Sequence, residues 1–167
     1  LLEASNYSEL CKVFELYPML NNDKHWKPIG NNSNNAGIIE NQQVTGIDCL
    51  TEKITNSIDA DLMKECQKRN IDPKSKYAPQ NMKEARKLFY NIKDPNDSNE
   101  WNEKSKDISI IAEGDKKYPT ISILDDGEGQ YPESFESTFF SINKGGKRGE
   151  IKFVHGRYGM GSHGSLP

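Results

Sequence analysis

Glu52-Lys53-Ile54-Thr55-Asn56-Ser57-Ile58-Asp59-Ala60 lies within a stretch, from about Ile38 to Arg69, that has no proline and one glycine. Through it Ile47, Leu50, Ile54, Ile58 and Leu62 recur at steps of three and four, the apolar stripe of an amphipathic helix. At about 100° per residue, Glu52, Asn56 and Asp59 fall within an arc of roughly 60° on the side away from that stripe. One helix face therefore presents two carboxylates and an amide. Such a face is most simply solvated surface. It is also the face on which a carboxylate could reach a nucleophilic water while an amide oxygen ligates a hard cation.

Downstream, Pro73 and Pro79 mark a loop, Met82 to Tyr90 reads as a shorter helix, and Pro95 to Asn102 is polar connection. Asp107 to Glu113 and Pro119 to Leu124 are β-branched runs separated by Gly114-Asp115-Lys116-Lys117, which predicts two antiparallel strands and a hairpin loop. The second strand runs directly into Asp125-Asp126-Gly127-Glu128-Gly129. An acid at the end of a buried strand can accept from an exocyclic amine, and the absent side chains at Gly127 and Gly129 let a flat base approach. An ordinary strand-to-loop turn also favours Asp-Gly. Pro132 to Phe140 could form a short helix.

From Ser141 to Pro167 the chain is glycine-rich and basic, without sustained periodicity, and reads as a flexible loop followed by a glycine turn. Gly156-Arg157-Tyr158-Gly159-Met160-Gly161-Ser162-His163-Gly164-Ser165 offers backbone N–H groups without crowding, as phosphate-cradling loops do. Lys144, Lys147, Arg148, Lys152 and Arg157 surround it, against Glu150 as the acid. A local basic loop in a chain of net charge -3 points to a bound anion there, with a plain surface loop as the alternative.

Upstream, Tyr7, Leu10, Val13, Phe14 and Tyr17 repeat at helical spacing before Pro18, and Gly30 to Asn35 is turn-prone. The 167 residues suffice for one domain with a core of its own. Apolar runs such as Ile108 to Ala112 are far shorter than the roughly 20 residues of a membrane-spanning helix, so a cytoplasmic protein without membrane contact is expected. Cys11, Cys49 and Cys66 lack the spacing of a zinc site and read as core or surface thiols. A start at Leu1-Leu2 and an end directly behind the glycine cluster are expected of a piece of a longer protein.

The first string arises by chance in roughly one chain in a thousand of this size and each glycine motif in roughly one in twenty-five, so all three in this order arise in about one chain in a million. Together they resemble the boxes of the GHKL superfamily (gyrase, Hsp90, histidine kinase, MutL). Glu52 to Ala60 resembles the N-box, Asp125 to Gly129 the DxGxG box, and Gly156 to Gly161 the glycine box under the ATP lid. The resemblance implies an α/β fold of the Bergerat type, a two-layer sandwich whose mixed sheet carries helices on one face, incomplete here at its C-terminal side. It makes residues 1–167 one ATP-binding domain, with 1–37 an N-terminal extension and 141–157 the candidate lid, ordering when nucleotide binds.

The resemblance also implies roles. Glu52 would be the catalytic base orienting water, and Asn56 would ligate Mg²⁺. Asp125 would bind the adenine amino group, Gly127 and Gly129 would shape the base pocket, and Ala60 would line it. Gly156, Gly159, Gly161 and Ser162, with Met160 among them, would hold the phosphates. Asp59 would support this shell, and Lys147, then Lys144, are the candidates for reaching phosphate from the lid.

Histidine kinases usually lack the upstream Glu and the Asp-Ala pair, whereas the Hsp90, MutL, gyrase and MORC branches carry both. That places the chain with Mg²⁺-dependent ATPases whose lid closure drives association of two protomers, here an ATP-dependent homodimer of the full-length protein. Gly156 to Gly161 is nearer the Hsp90 and MORC glycine boxes and Asp125 to Gly129 resembles those of MORC and gyrase, and the likeness to MORC implies a DNA-associated or defence role, with nucleic acid bound through other domains. A protein kinase of the same fold and a nucleotide-binding module without hydrolysis are the rival readings.

Overall fold

The computed structural model describes residues 6–28, 31–34, 45–117, 119–135 and 150–155. Helix α1, Tyr7–Leu16, starts at Asn6, whose side chain accepts from the Glu9 N–H, and stops ahead of Pro18. Two short 3₁₀ turns follow, Pro18–Asn21 and Asp23–His25. They return Trp26 onto Phe14, the rings stacked at 6.3 Å.

The expected long helix is α2, Gly46–Lys68. Thr45 and Asp48 cap each other reciprocally at its start, and the hydrogen bonds from Thr45 hold the Asp48 carboxyl below its ordinary range. The helix stops where Asn70 takes a left-handed conformation, with φ of 52°, and the Ile71 N–H turns back to the Cys66 carbonyl. Helix α3, Met82–Tyr90, is capped by Asn81 and ends the same way at Asn91. The connection after Pro95 holds one helical turn that periodicity did not predict, α4, Ser98–Trp101, started by the Asp97 side chain.

Strands β1, Ile108–Gly114, and β2, Pro119–Asp125, pair antiparallel as expected, from Ile108 opposite Asp125 to Gly114 opposite Pro119. These two are the strands among the described residues, so any parallel member of a mixed sheet lies outside them. Helix α2 packs against both strands and against α3, giving the α/β layering. After β2 the expected short helix appears as one 3₁₀ turn, Pro132–Ser134; residues 136–140 lie outside the described set.

The core sits between α2 and α3. Leu62 and Cys66 of α2 meet Ala85 and Phe89 of α3, both pairs four residues apart, and Ile151, Phe153 and Val154 close over them. The Phe89 and Phe153 rings meet edge-on at 6.0 Å. The expectation of a flexible loop from Ser141 therefore fails over 150–155: the apolar Ile151, Phe153 and Val154 are buried. Three apolar residues in six are too few to register as periodicity, yet enough to anchor a chain.

The α2 stripe also differs from expectation. Leu62 is buried, but Ile47 and Ile58 are exposed, while Ser57, Asp59, Asp61 and Glu65 are buried. Apart from the Asp61 Oδ1, which is buried without a hydrogen-bond partner, those groups meet partners remote in sequence or one turn away. Tyr90 donates to Asp61 at 2.6 Å, Lys104 stands 3.4 Å from the same carboxylate, and Lys68 and Arg69 both pair with Glu65. Burial and the Asp61 hydrogen bond push the Tyr90 hydroxyl far above its usual range.

For Glu65, burial alone would raise the carboxyl, but the hydrogen bonds from Lys68 and Arg69 outweigh it and hold the group low. A depressed folded value adds stability above the unfolded pKa, and that stability is lost as pH falls through the folded one. The wild-type chain should therefore lose stability on acidification from about pH 4 downward. Glu65→Gln should cost about 1–2 kcal/mol at neutral pH and flatten that acid limb. Urea midpoints measured at pH 7 and below pH 4 check this; parallel acid limbs in the two proteins would contradict it.

Candidate functional site

The second motif folds back onto the first. At the end of β2 the Asp125 carboxylate accepts from the Ser57 hydroxyl of α2 at 2.8 Å and from the Gly127 N–H at 3.0 Å. The Glu128 N–H donates to the Ala60 carbonyl at 3.1 Å, and Gln67 Nε2 reaches Glu128 at 3.3 Å. Lys64 pairs with the Asp126 carboxylate at 2.5 Å, also donates to the Asp126 carbonyl, and lowers that carboxyl's pKa. The loop is thus tied along nearly three turns of α2, from Ser57 to Gln67.

Glycine at 127 is dictated by this contact. A Cβ there would stand 2.5 Å from the Ala60 Cβ and 2.9 Å from the Ala60 carbonyl carbon, a collision with helix backbone that no side-chain rotation relieves. Gly129 adopts φ of 65°, where L side chains are strained. The two glycines serve different ends: one permits contact with α2, the other turns the chain.

Asp59 is fully buried, and both its carboxylate oxygens accept from the His155 N–H, at 3.0 and 2.9 Å. The His155 Nδ1 lies 3.6 Å from the same carboxylate. The residue directly ahead of the third motif is thereby brought to α2. Glu150, the acid of the basic segment, is neutralised by Lys74 at 2.6 Å, which lowers its carboxyl pKa, and Lys152 donates to Gln80.

Glu52 and Asn56 stand half-buried on α2, one turn apart. Beside Glu52, burial pushes the Lys53 ammonium below its ordinary range, opposed by the Glu52 charge. Ala60 is half-buried under Gly127. Lys144, Lys147, Gly156, Gly159, Met160, Gly161 and Ser162 lie outside the described residues, as does the candidate lid apart from 150–155.

The described residues thus bring Ala60, Asp125 and Gly127 together, with Glu52 and Asn56 one to two turns earlier on the same helix. The periodicity argument missed Ser57, Lys64 and His155. Ser57 is inside the first motif but on another helix face, and the bonding group of His155 is a backbone N–H, which leaves no signature in sequence.

This donor set fits an adenine nucleotide and Mg²⁺. A carboxylate accepts about four hydrogen bonds, so Asp125, exposed to solvent with two partners from the protein, keeps capacity for an exocyclic amine. Asn56 offers a neutral oxygen, and Mg²⁺ commonly takes only one or two protein ligands besides phosphates and water. Among the described residues no cluster of three His, Cys, Asp or Glu side chains could hold a metal by itself, and no helix is long and apolar enough to cross a membrane.

No curated protein and no solved structure matches the chain. The family described as histidine kinase-, DNA gyrase B-, and HSP90-like ATPase matches residues 47–166, from the first turn of α2 through the third motif. With well over half of its length matched and the first two motifs in contact, the chain belongs to the histidine kinase-, DNA gyrase B- and HSP90-like ATPases.

Proposed function

We propose that this domain binds ATP with Mg²⁺ and hydrolyses it, as a member of the Hsp90/MutL/MORC-like branch. The observation that carries the reading is the Ser57–Asp125 hydrogen bond at 2.8 Å. It aims the strand-end carboxylate from the helix that bears Glu52 and Asn56, so base recognition and hydrolytic chemistry share one rigid support.

Asp125 accepts from the adenine amino group, and Gly127, packed directly on Ala60, lets the loop that carries this carboxylate close on α2 and shape the wall of the base pocket. Glu52 holds and deprotonates the attacking water, and Asn56 supplies an amide oxygen to Mg²⁺. Bound Mg²⁺ would neutralise phosphate charge in the transition state. Gly156, Gly159, Gly161 and Ser162 donate to the phosphates, with Lys147 or Lys144 as the lid cation. In the full-length protein, closure of the part of the 141–157 lid outside the anchored 150–155 drives ATP-dependent association of two copies, in a DNA-associated or defence process.

Titration of ATP–Mg²⁺ and of inorganic triphosphate into wild-type protein and Asp125→Asn, followed by phosphate release, tests the reading. Asn can present a donor where adenine also donates, and an unpaired buried polar group costs about 1–3 kcal/mol. The variant should lose about tenfold or more in ATP affinity and little for triphosphate. Equal losses for both ligands would place Asp125 outside the base pocket.

A further inference from the structure

We propose that Asp59 is a positioning residue: its buried carboxylate clamps the backbone at His155, directly ahead of Gly156, to the helix that carries Glu52 and Asn56. This rests on the ATP reading above and gives Asp59 a task within it. The side chain has no exposure to solvent, and both oxygens converge on one backbone N–H, at 3.0 and 2.9 Å, across 96 residues of sequence. A fully buried carboxylate is costly unless hydrogen-bonded, and packing alone would be served better by an apolar side chain. Apolar anchoring is already present, since Ile151, Phe153 and Val154 insert into the core within the four preceding residues.

What the carboxylate adds is direction. A charge-assisted hydrogen bond is about twice as strong as a neutral one and fixes the donor in register. His155 is thereby held level with Asp59, one helical turn beyond Asn56 and adjacent to Ala60. Burial keeps Asp59 from touching nucleotide, so its influence passes through His155 into the phosphate-binding segment. The base pocket is braced separately, through Ser57, the Ala60 carbonyl and Lys64. Loss of the clamp should therefore weaken recognition of phosphates and spare recognition of the base.

The test is calorimetric titration of adenosine and of ATP–Mg²⁺ into wild-type protein, Asp59→Asn, His155→Pro and the double variant. His155→Pro removes the donor without touching the carboxylate, so the clamp is broken from either side. Each single variant should bind ATP about tenfold or more weakly and adenosine within about twofold of wild type, and the double variant should be no worse than the weaker single. Retained adenosine binding also reports an intact fold. Equal losses for the two ligands, no loss for either, or additive effects in the double variant would overturn the clamp while leaving the ATP reading in place. Wild-type protein that binds no ATP would overturn both.

Discussion

Glu52→Gln will reduce ATP turnover by about a hundredfold or more while leaving ATP affinity within a few-fold of wild type. The two halves of that expectation have separate causes. A general base acts on the attacking water as charge develops in the transition state, so its removal appears in the rate and hardly in ground-state binding. On the proposed reading affinity rests elsewhere, on the Asp125 carboxylate, whose Ser57 partner lies about one and a half turns along α2 from Glu52. Glutamine keeps the shape and polarity of the half-buried side chain, so the fold is disturbed little, while loss of the Glu52 charge lets burial lower the Lys53 ammonium further. Phosphate release under saturating ATP, paired with titration of the nucleotide, separates rate from affinity. Unchanged turnover in an otherwise active protein would remove Glu52 from the mechanism; a parallel collapse of affinity would make it a binding residue.

Legibility of the site followed the nature of each interaction. The helix from Gly46 to Lys68 and the strand pair were readable because local pattern dictates them: apolar residues at steps of three and four, no interior proline, and β-branched runs about a glycine turn. Gly127 was readable as a position for close approach, but the approaching group is the Ala60 backbone of α2 as well as any base. The burial of Asp59, Asp61 and Glu65 was not readable. A polar residue on a helix looks solvated unless its partner is known, and here the partners come from His155, Tyr90 and Lys104 as well as the adjacent Lys68 and Arg69. Periodicity reports where apolar side chains fall; it carries no information on which distant N–H or hydroxyl meets a carboxylate. The same limit explains why residues 150–155, read as loop by composition, are fixed in the core.

Phe153→Ala will cost about 3–5 kcal/mol of stability, the usual result of truncating a fully buried aromatic ring. Phe153 is 1% exposed, and its ring closes edge-on over Phe89, which itself lies under the Arg69 guanidinium at 5.1 Å. Removal leaves a void in the cluster that holds Leu62, Cys66, Ala85 and Phe89. These are helix-borne side chains that cannot collapse into it without moving α2 against α3, so little of the cost is recovered by relaxation. The loss should not stop at stability. Phe153 lies two residues before His155, so a loosened anchor releases the donor that Asp59 holds. Urea unfolding should show a lower midpoint with an unchanged slope. Below that transition, at temperatures where the variant is still folded, ATP affinity should fall further than adenosine affinity. A variant with wild-type stability would mean that the 150–155 segment adds nothing to the core. A destabilised variant with both affinities intact would separate the anchor from the nucleotide site.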